Sequence, residues 1–134
     1  METGVNIPKG FSGVTPYLFV ANAGDYIRFL QMAFGAEDVG RSLMPNGKIA
    51  NGQVRLSGAT IMVSEASEAF PPTRVALYLY VDDADAALER AVQAGADLIM
   101  EASNMPYGDR QAGVRDQAGT IWWISQRLTD EPYF

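Results

Sequence analysis

An internal repeat with a spacing of 60 residues constrains this chain more than any other feature of its sequence. Residues 34–37 match residues 94–97, and residues 54–61 match residues 114–121. The identical pairs at this spacing are Gly35/Gly95, Ala36/Ala96, Val54/Val114, Arg55/Arg115, Thr60/Thr120 and Ile61/Ile121. The first stretch contains the glycine that typically ends a helix, and the second contains the glycine of a hairpin turn. The repeat predicts two related modules in one domain, because half of a 134-residue chain is too short to bury a stable core alone.

Residue periodicity predicts the element order βαβββ in each half. In the first half, the helical spacing of Ile27, Leu30 and Phe34 predicts a helix between the first two strands. The predicted elements are strands 14–20, 37–43, 49–56 and 60–65 with helix 23–34, then strands 75–81, 97–102, 111–116 and 120–127 with helix 86–94. The predicted fold class is α+β, with tandem βαβββ modules that form a curved mixed sheet around a cleft and helices on the outer face.

The same patterns predict how the chain is divided. The predicted parts are an N-terminal extension 1–13, a first module 14–65, a connector 66–73, a second module 74–128 and a tail 129–134. Pro71 and Pro72 mark the connector. The end of the tail, residues 132–134, is predicted to be disordered, and docking on a partner subunit is the alternative.

The composition argues against several classes of function. The chain has no cysteine and no histidine, so it lacks thiolate nucleophiles, disulfides, the commonest metal ligand and the commonest general base. Its 16 acidic residues outnumber 10 basic ones, which argues against nucleic-acid binding. Its apolar runs are too short to span a membrane, and its N-terminus has no signal-peptide pattern. We therefore expect a cytoplasmic protein that binds neither nucleic acid nor membrane.

Five segments, in their order and spacing, resemble the vicinal oxygen chelate superfamily of glyoxalases, fosfomycin and bleomycin resistance proteins and extradiol dioxygenases. These segments are VTPYL at 14–18, FGAE at 34–37, LYLYVDD at 77–83, YGDR at 107–110 and VRDQAGTIW at 114–122. The resemblance covers residues 14–126 and implies a tandem βαβββ fold with a cleft between halves or between subunits. It also implies where the metal-dependent relatives place their ligands, which is near the start of the first strand and within the last strand of each half.

The chain departs from the family's pattern at those metal positions. Position by position, the ligands of the relatives fall on Thr15, Val63, Ala76 and Trp123. A related subgroup has a histidine where this chain has Asn51 and an acid where it has Gln53. Hard cations need carboxylates, and zinc needs imidazole or thiolate ligands. The resemblance together with this departure predicts a metal-independent protein without a cofactor.

Strand alternation predicts an aromatic surface on the face where those relatives bind metal. The predicted ligand-binding residues are Thr15, Tyr17, Phe19, Asn51, Gln53, Arg55, Tyr78, Tyr80 and Trp123. The opposite face is aliphatic and suited to pack under the helices, with Val14, Leu18, Val20, Val75, Leu77, Leu79, Val81 and Ile124. Trp122 and Trp123 point to opposite faces, and a register change of one residue would exchange them. No catalytic residue is assigned.

These observations predict a protein of the glyoxalase/bleomycin resistance type that binds a small organic ligand in an aromatic cleft, as a homodimer. An acidic protein would suit a cationic aromatic ligand. One alternative is an enzyme, namely a divergent lyase, isomerase or dioxygenase of the same superfamily. Another is an interaction module with a vestigial cleft. Arg55, which Arg115 matches in the repeat, has a structural interpretation as well, because arginine bridges many structural contacts.

Overall fold

A computed structural model describes residues 4–134 and contains two βαβββ modules in tandem. The first module consists of β1 (Tyr17–Val20), α1 (Ala23–Phe34), β2 (Glu37–Leu43), β3 (Ile49–Leu56) and β4 (Ala59–Glu65). The second consists of β5 (Ala76–Tyr80), α2 (Ala84–Gln93), β6 (Asp97–Asn104), β7 (Asp109–Arg115) and β8 (Ile121–Arg127). The predicted α+β fold is therefore confirmed. The start of the predicted N-terminal extension, residues 1–3, lies outside the described residues.

Each module forms one four-stranded mixed sheet, and the two sheets have the same strand order. The orders are β1-β4-β3-β2 and β5-β8-β7-β6. In each sheet the first strand pairs in parallel with the last, and the remaining pairs are antiparallel. Each helix packs on the sheet of its own module, and α1 also contacts α2. The shared topology confirms the duplication that the repeat predicts.

The repeat spacing changes from 60 to 61 residues across the hairpin of the second module. Arg55 pairs with Thr60 in the first hairpin, whereas Arg115 pairs with Ile121 in the second. The second loop is thus one residue longer, and Thr120 belongs to the loop rather than to the strand. The predicted equivalence of Thr60 and Thr120 is therefore wrong by one residue.

This extra loop residue also corrects one of the transferred metal positions. Tyr17 pairs with Met62 in the first sheet, and Tyr78 pairs with Trp123 in the second. Met62, and not Val63, is therefore the structural counterpart of Trp123. Val63 is fully buried in the core.

The core lies between the helices and the inner faces of the sheets. Its largest buried residues include Leu18, Val20, Tyr26, Ile27, Leu30, Val54, Val63, Val114, Trp122 and Ile124. The side chain of Trp122 is 2% exposed, and its ring centroid lies 4.9 Å from that of Phe34. Trp122 therefore occupies the helix-facing side of β8, and the alternation along the strand directs Trp123 to the other side.

Asp116 links the two modules through buried hydrogen bonds. Its Oδ2 atom accepts the hydroxyl of Tyr26 from α1 at 2.6 Å and the indole N–H of Trp122 at 2.8 Å. Its Oδ1 atom accepts the backbone N–H groups of Ala118 and Thr120. Burial and the neighbouring carboxylate both raise the pKa of Tyr26. The carboxylate thus fixes the second hairpin against the first helix.

The first strand is shorter than predicted, and Val14 does not belong to the core. β1 begins at Tyr17, and Val14 is 86% exposed. Pro16 has no N–H group to donate, although its carbonyl accepts the N–H of Met62 at 2.9 Å. Thr15 therefore precedes the strand.

Both helices begin against the last strand of their own module. Glu65 accepts the backbone N–H groups of Asn22 and Ala23 at the start of α1. Gln126 accepts the N–H of Ala84 in the same way at the start of α2. The second helix begins two residues earlier than predicted. Among residues 4–134, no helix is long and apolar enough to cross a membrane.

Candidate functional site

Three aromatic residues, Tyr78, Tyr80 and Trp123, lie on neighbouring strands of the second sheet, on the side away from the helices. Tyr78 and Tyr80 are 42% and 46% exposed, and their ring centroids lie 5.3 Å apart in an edge-to-face arrangement. Trp123, which pairs with Tyr78, lies across Gly113 of β7. A Cβ atom at Gly113 would come within 2.5 Å of the indole ring, so the glycine leaves the space that Trp123 fills.

A buried carboxylate lies beside these aromatic rings. Asp109 is 0% exposed, and it accepts hydrogen bonds from the hydroxyls of Tyr78 and Tyr133. The guanidinium of Arg127 donates to its Oδ1 atom at 2.9 Å. We call Tyr78, Tyr80, Asp109, Arg127 and Tyr133 the Asp109 cluster.

The electrostatics of this cluster keep the carboxylate ionised and the phenols of Tyr78 and Tyr133 neutral. Burial by itself would raise the pKa of Asp109, but the hydrogen bonds from Tyr133, Tyr78 and Arg127 together lower it. Burial and the hydrogen bond to Asp109 raise the pKa of Tyr78 to about 12. The pKa of Tyr133 is raised for the same two reasons. The cluster thus presents a charged acceptor that neutral O–H donors surround.

The C-terminal tail supplies one member of the cluster, so the prediction that its end is disordered is wrong. The hydroxyl of Tyr133 lies 2.6 Å from Asp109 and 2.7 Å from the hydroxyl of Tyr80. Arg127 lies over the ring of Tyr133, with its Cζ atom 4.0 Å from the ring centroid. Arg127 also donates to the carbonyl of Glu131 at 2.6 Å. The tail therefore folds back onto the second sheet.

The first sheet carries a separate polar chain on its corresponding face. The hydroxyl of Tyr17 lies 2.7 Å from that of Ser64, and the amide of Asn51 reaches Tyr17 at 3.4 Å. Gln53 in turn donates to Asn51 at 3.1 Å. Tyr17, Asn51 and Gln53 are thus brought together. Phe19 lies beside Tyr17 and stacks on a further aromatic ring, that of Phe70, at 5.3 Å.

The N-terminal segment covers one end of this first face. Arg55 pairs with Glu37 at 3.1 Å, and its guanidinium lies directly beneath Gly10. The carbonyl of Gly10 accepts the hydroxyl of Thr60 at 2.6 Å. Thr15 and Gln53 line an open groove of about 500 Å³ between this segment and the sheet. These contacts support the structural interpretation of Arg55.

The predicted aromatic residues thus fall into two groups, one on each sheet. In the part of the chain that the structure describes, ring contacts join Tyr17 to Phe19 and Tyr78 to Tyr80, and none joins the two groups. A second open groove, of about 560 Å³, touches Tyr80 and Arg127 where the first hairpin meets the second module. Its volume is within the range typical of small-molecule sites.

Sequence reasoning missed Asp109, Arg127 and Tyr133. Asp109 does not pair with its neighbour Arg110, which binds Asp85 through two hydrogen bonds of 2.7 and 3.0 Å. Arg127 has the same alternation as Trp123, because it lies four positions further along β8. Nothing in the sequence pattern indicates that Tyr133 folds back.

The residues at the family's metal positions do not fit a metal ion. With the register corrected, these positions hold Thr15, Met62, Ala76 and Trp123, which offer one hydroxyl and one thioether. Neither hard cations nor zinc are held by such a set. Within residues 4–134, no three Asp or Glu side chains come together as a candidate metal site.

Comparisons with known proteins agree with this architecture. A family model described as the Glyoxalase/Bleomycin resistance protein/Dioxygenase superfamily matches residues 14–124. Mb0911c, an uncharacterised protein of Mycobacterium bovis, is 32% identical over 128 residues, which cover 87% of this chain and 84% of that protein.

Two solved structures are similar in fold. TioX from Micromonospora sp. ML1 has a TM-score of 0.70 at 24% identity, and the match covers 90% of this chain and 100% of TioX. TnmS3, an antibiotic binding protein from Streptomyces sp. CB03234, has a TM-score of 0.69 at 24% identity. That match covers 87% of this chain and 97% of TnmS3.

Proposed function

The chain belongs to the glyoxalase/bleomycin resistance protein/dioxygenase superfamily, and from this premise we propose that it binds a small aromatic molecule without a metal ion. The observation that carries the proposal is the Asp109 cluster, in which a buried carboxylate lies at the edge of an exposed aromatic surface. Aromatic surface with few, well-placed polar groups is typical of small-molecule sites. TnmS3, which shares the fold, is an antibiotic binding protein, and this supports a ligand of comparable chemistry.

Each part of the surface has a role in this proposal. Trp123, Tyr78 and Tyr80 supply ring faces and edges, and each well-placed aromatic pair contributes about 0.5–1.5 kcal/mol beyond the area it buries. A polar ligand group that takes the place of one of the present donors to Asp109 would be held in one orientation, because a buried charged acceptor left without a donor is costly.

We further propose that the two aromatic groups are half-sites that a second copy of the chain brings together. The predicted residues Thr15, Tyr17, Phe19, Asn51, Gln53 and Arg55 lie in the first module, and Tyr78, Tyr80 and Trp123 lie in the second. Two of the four edge strands, β2 and β6, expose Val39, Leu43, Leu98 and Ile99. An exposed apolar edge strand is a surface that another chain can cover. Cytoplasmic location stays a prediction.

The proposal is tested with four probes, of which three share a naphthalene ring. We expect 2-naphthol, naphthalene-2-sulfonate, 2-(aminomethyl)naphthalene or bleomycin to quench tryptophan fluorescence and to give a saturable heat in calorimetry. Trp123→Ala should weaken that binding at least about tenfold, because the indole supplies stacking area. Val92→Ala, at an exposed position on α2 and so on the opposite side of the sheet from the cluster, is the matched control. Absence of saturable binding by all four probes would refute the proposal.

The alternative, a metal-free isomerase or lyase, makes a different demand on the cluster. General acid–base chemistry works best when a group titrates near the operating pH. The pKa of Tyr78 is raised to about 12, and that of Asp109 is lowered, so the two groups titrate on opposite sides of neutrality. The cluster therefore favours binding over proton transfer.

A further inference from the structure

Tyr133 reaches the Asp109 cluster as the end of a tail with few other attachments. Its ring is 43% exposed, and the next residue, Phe134, is fully exposed. The last backbone hydrogen bond that ties this region to the sheet joins the N–H of Leu128 to the carbonyl of Gly108 at 2.9 Å. The phenol of Tyr133 is thus held mainly by its contacts within the cluster.

The hydrogen-bond directions around this phenol are determined by its neighbours. The hydroxyl of Tyr133 donates its proton to Asp109. The hydroxyl of Tyr80, 2.7 Å away, must then be the donor to the oxygen of Tyr133, which has no second proton. The location between Asp109 and Tyr80 therefore requires one oxygen atom that donates to the carboxylate and accepts from the tyrosine. A phenol meets both requirements, whereas an aryl ether cannot donate and an ammonium group cannot accept.

The removal of Tyr133 would leave the carboxylate incompletely satisfied. Arg127 occupies Oδ1 of Asp109, and Tyr78 shares Oδ2 with Tyr133. Asp109 is 0% exposed, so the freed acceptor site would be a strong selector for an O–H donor.

The surroundings of the Tyr133 ring determine which charge a ligand in its place can carry. The guanidinium of Arg127 lies 4.0 Å from the centroid of the Tyr133 ring, which is a cation–π distance. This cation attracts an electron-rich ring and repels a cationic one. The ion pair between Arg127 and Asp109 leaves no net charge to attract a cation. A neutral ring is therefore favoured over the cationic aromatic ligand that the acidic composition suggests.

We propose that this site takes a neutral phenolic ligand, and that Tyr133 is an internal occupant which such a ligand displaces. The inference rests on the proposed function and deepens it by naming the ligand class. The tail competes with the ligand for Asp109. The apparent affinity therefore equals the intrinsic affinity multiplied by the fraction of molecules in which Tyr133 does not occupy this carboxylate.

The test compares 2-naphthol with 2-methoxynaphthalene, which has the same ring system but no O–H donor. In calorimetry with the chain of residues 1–134, 2-naphthol should bind at least about tenfold more tightly, because the ether leaves the buried acceptor without a proton. Tyr133→Ala should raise the affinity for 2-naphthol about tenfold by removing the competitor. Phe134→Ala, the matched tail control, should change it by less than about twofold, since that side chain is fully exposed.

A second measurement follows the tail itself. Saturating 2-naphthol should accelerate hydrogen–deuterium exchange in residues 129–134, whereas 2-methoxynaphthalene at the same concentration should not, and equal exchange with both would overturn displacement of the tail.

The outcomes separate this inference from the proposed function. Equal affinity for the two naphthalenes would overturn the phenolic class, although binding of an aromatic ligand would stand. Unchanged affinity in Tyr133→Ala would overturn competition by the tail. Failure of 2-naphthol to bind, while another of the four probes binds, would refute the inference alone. Failure of all four would refute both.

Discussion

Replacing Trp122 with alanine should destabilise this protein far more than the same change at its neighbour Trp123. Trp122 is 2% exposed, packs against Phe34 at 4.9 Å and donates to Asp116 at 2.8 Å. Truncation of a buried tryptophan costs about 3–5 kcal/mol, in transfer free energy and in the cavity that remains.

The loss of the hydrogen bond from Trp122 to Asp116 leaves the expected loss of unfolding free energy near the middle of that range. Asp116 keeps its bonds from Tyr26, Ala118 and Thr120, so the carboxylate is not left without partners. We expect a loss of about 4 kcal/mol, nearly a thousandfold in the folding equilibrium. Trp123→Ala, at a half-buried position, should cost about 1 kcal/mol.

Urea unfolding followed by far-ultraviolet circular dichroism measures both values, because it does not depend on the tryptophan signal that the variants remove. If Trp122→Ala does not fold, Trp122→Phe keeps most of the buried area and should cost about 1–2 kcal/mol through the lost N–H donor. A Trp123 variant that is destabilised as much as the Trp122 variant would refute the assignment of the two faces.

Three further predictions concern the second sheet and its chemistry. Gly113→Ala should displace the indole of Trp123, change the near-ultraviolet circular dichroism and cost about 1–3 kcal/mol, because the new methyl group would overlap the ring. The folded state raises the pKa of Tyr78 to about 12 from 10.0, so the stability that Tyr78 contributes is present below pH 10 and is lost as the pH rises towards 12. Tyr78→Phe should reduce the slope of that part of a stability–pH profile, to which Tyr26 and Tyr133 also contribute, and an unchanged slope would contradict the assignment. Elemental analysis after incubation with zinc, nickel, iron or manganese should show far less than one equivalent, and a stoichiometric metal that raises the Tm would contradict metal independence.

Much of the fold could be predicted because its signals are local. Helix α1 and strands β2 and β3 have the bounds that the periodicity predicts, and every other element was predicted with small errors at its ends. The helix-facing side of β8, with Trp122 and Ile124 buried, follows from alternation along one strand. Such patterns follow from the side-chain periods of the α-helix and the β-strand, which are the same in every protein.

The register between strands was not determined in this way. The sequence aligns best with a constant spacing of 60, and only the pairing of Arg115 with Ile121 reveals the extra loop residue. One additional residue in a loop changes the sequence alignment little. If the alignment ignores it, however, every residue of the following strand is assigned to the wrong face of the sheet. The transfer of a metal position onto Val63, which lies in the core, failed for this reason.

The Asp109 cluster depended on tertiary structure alone. Asp109 meets Tyr78, Arg127 and Tyr133, which are 31, 18 and 24 positions away in the chain. Each of these residues is unremarkable in its own segment, since one lies on a strand, one at a strand end and one in the tail. A buried carboxylate must accept hydrogen bonds from donors that the fold places beside it, however far apart they are in the sequence. This requirement follows from its burial and not from sequence distance. The sequence by itself thus determined the two modules and the faces of their strands, while only the folded chain decided which polar groups meet there.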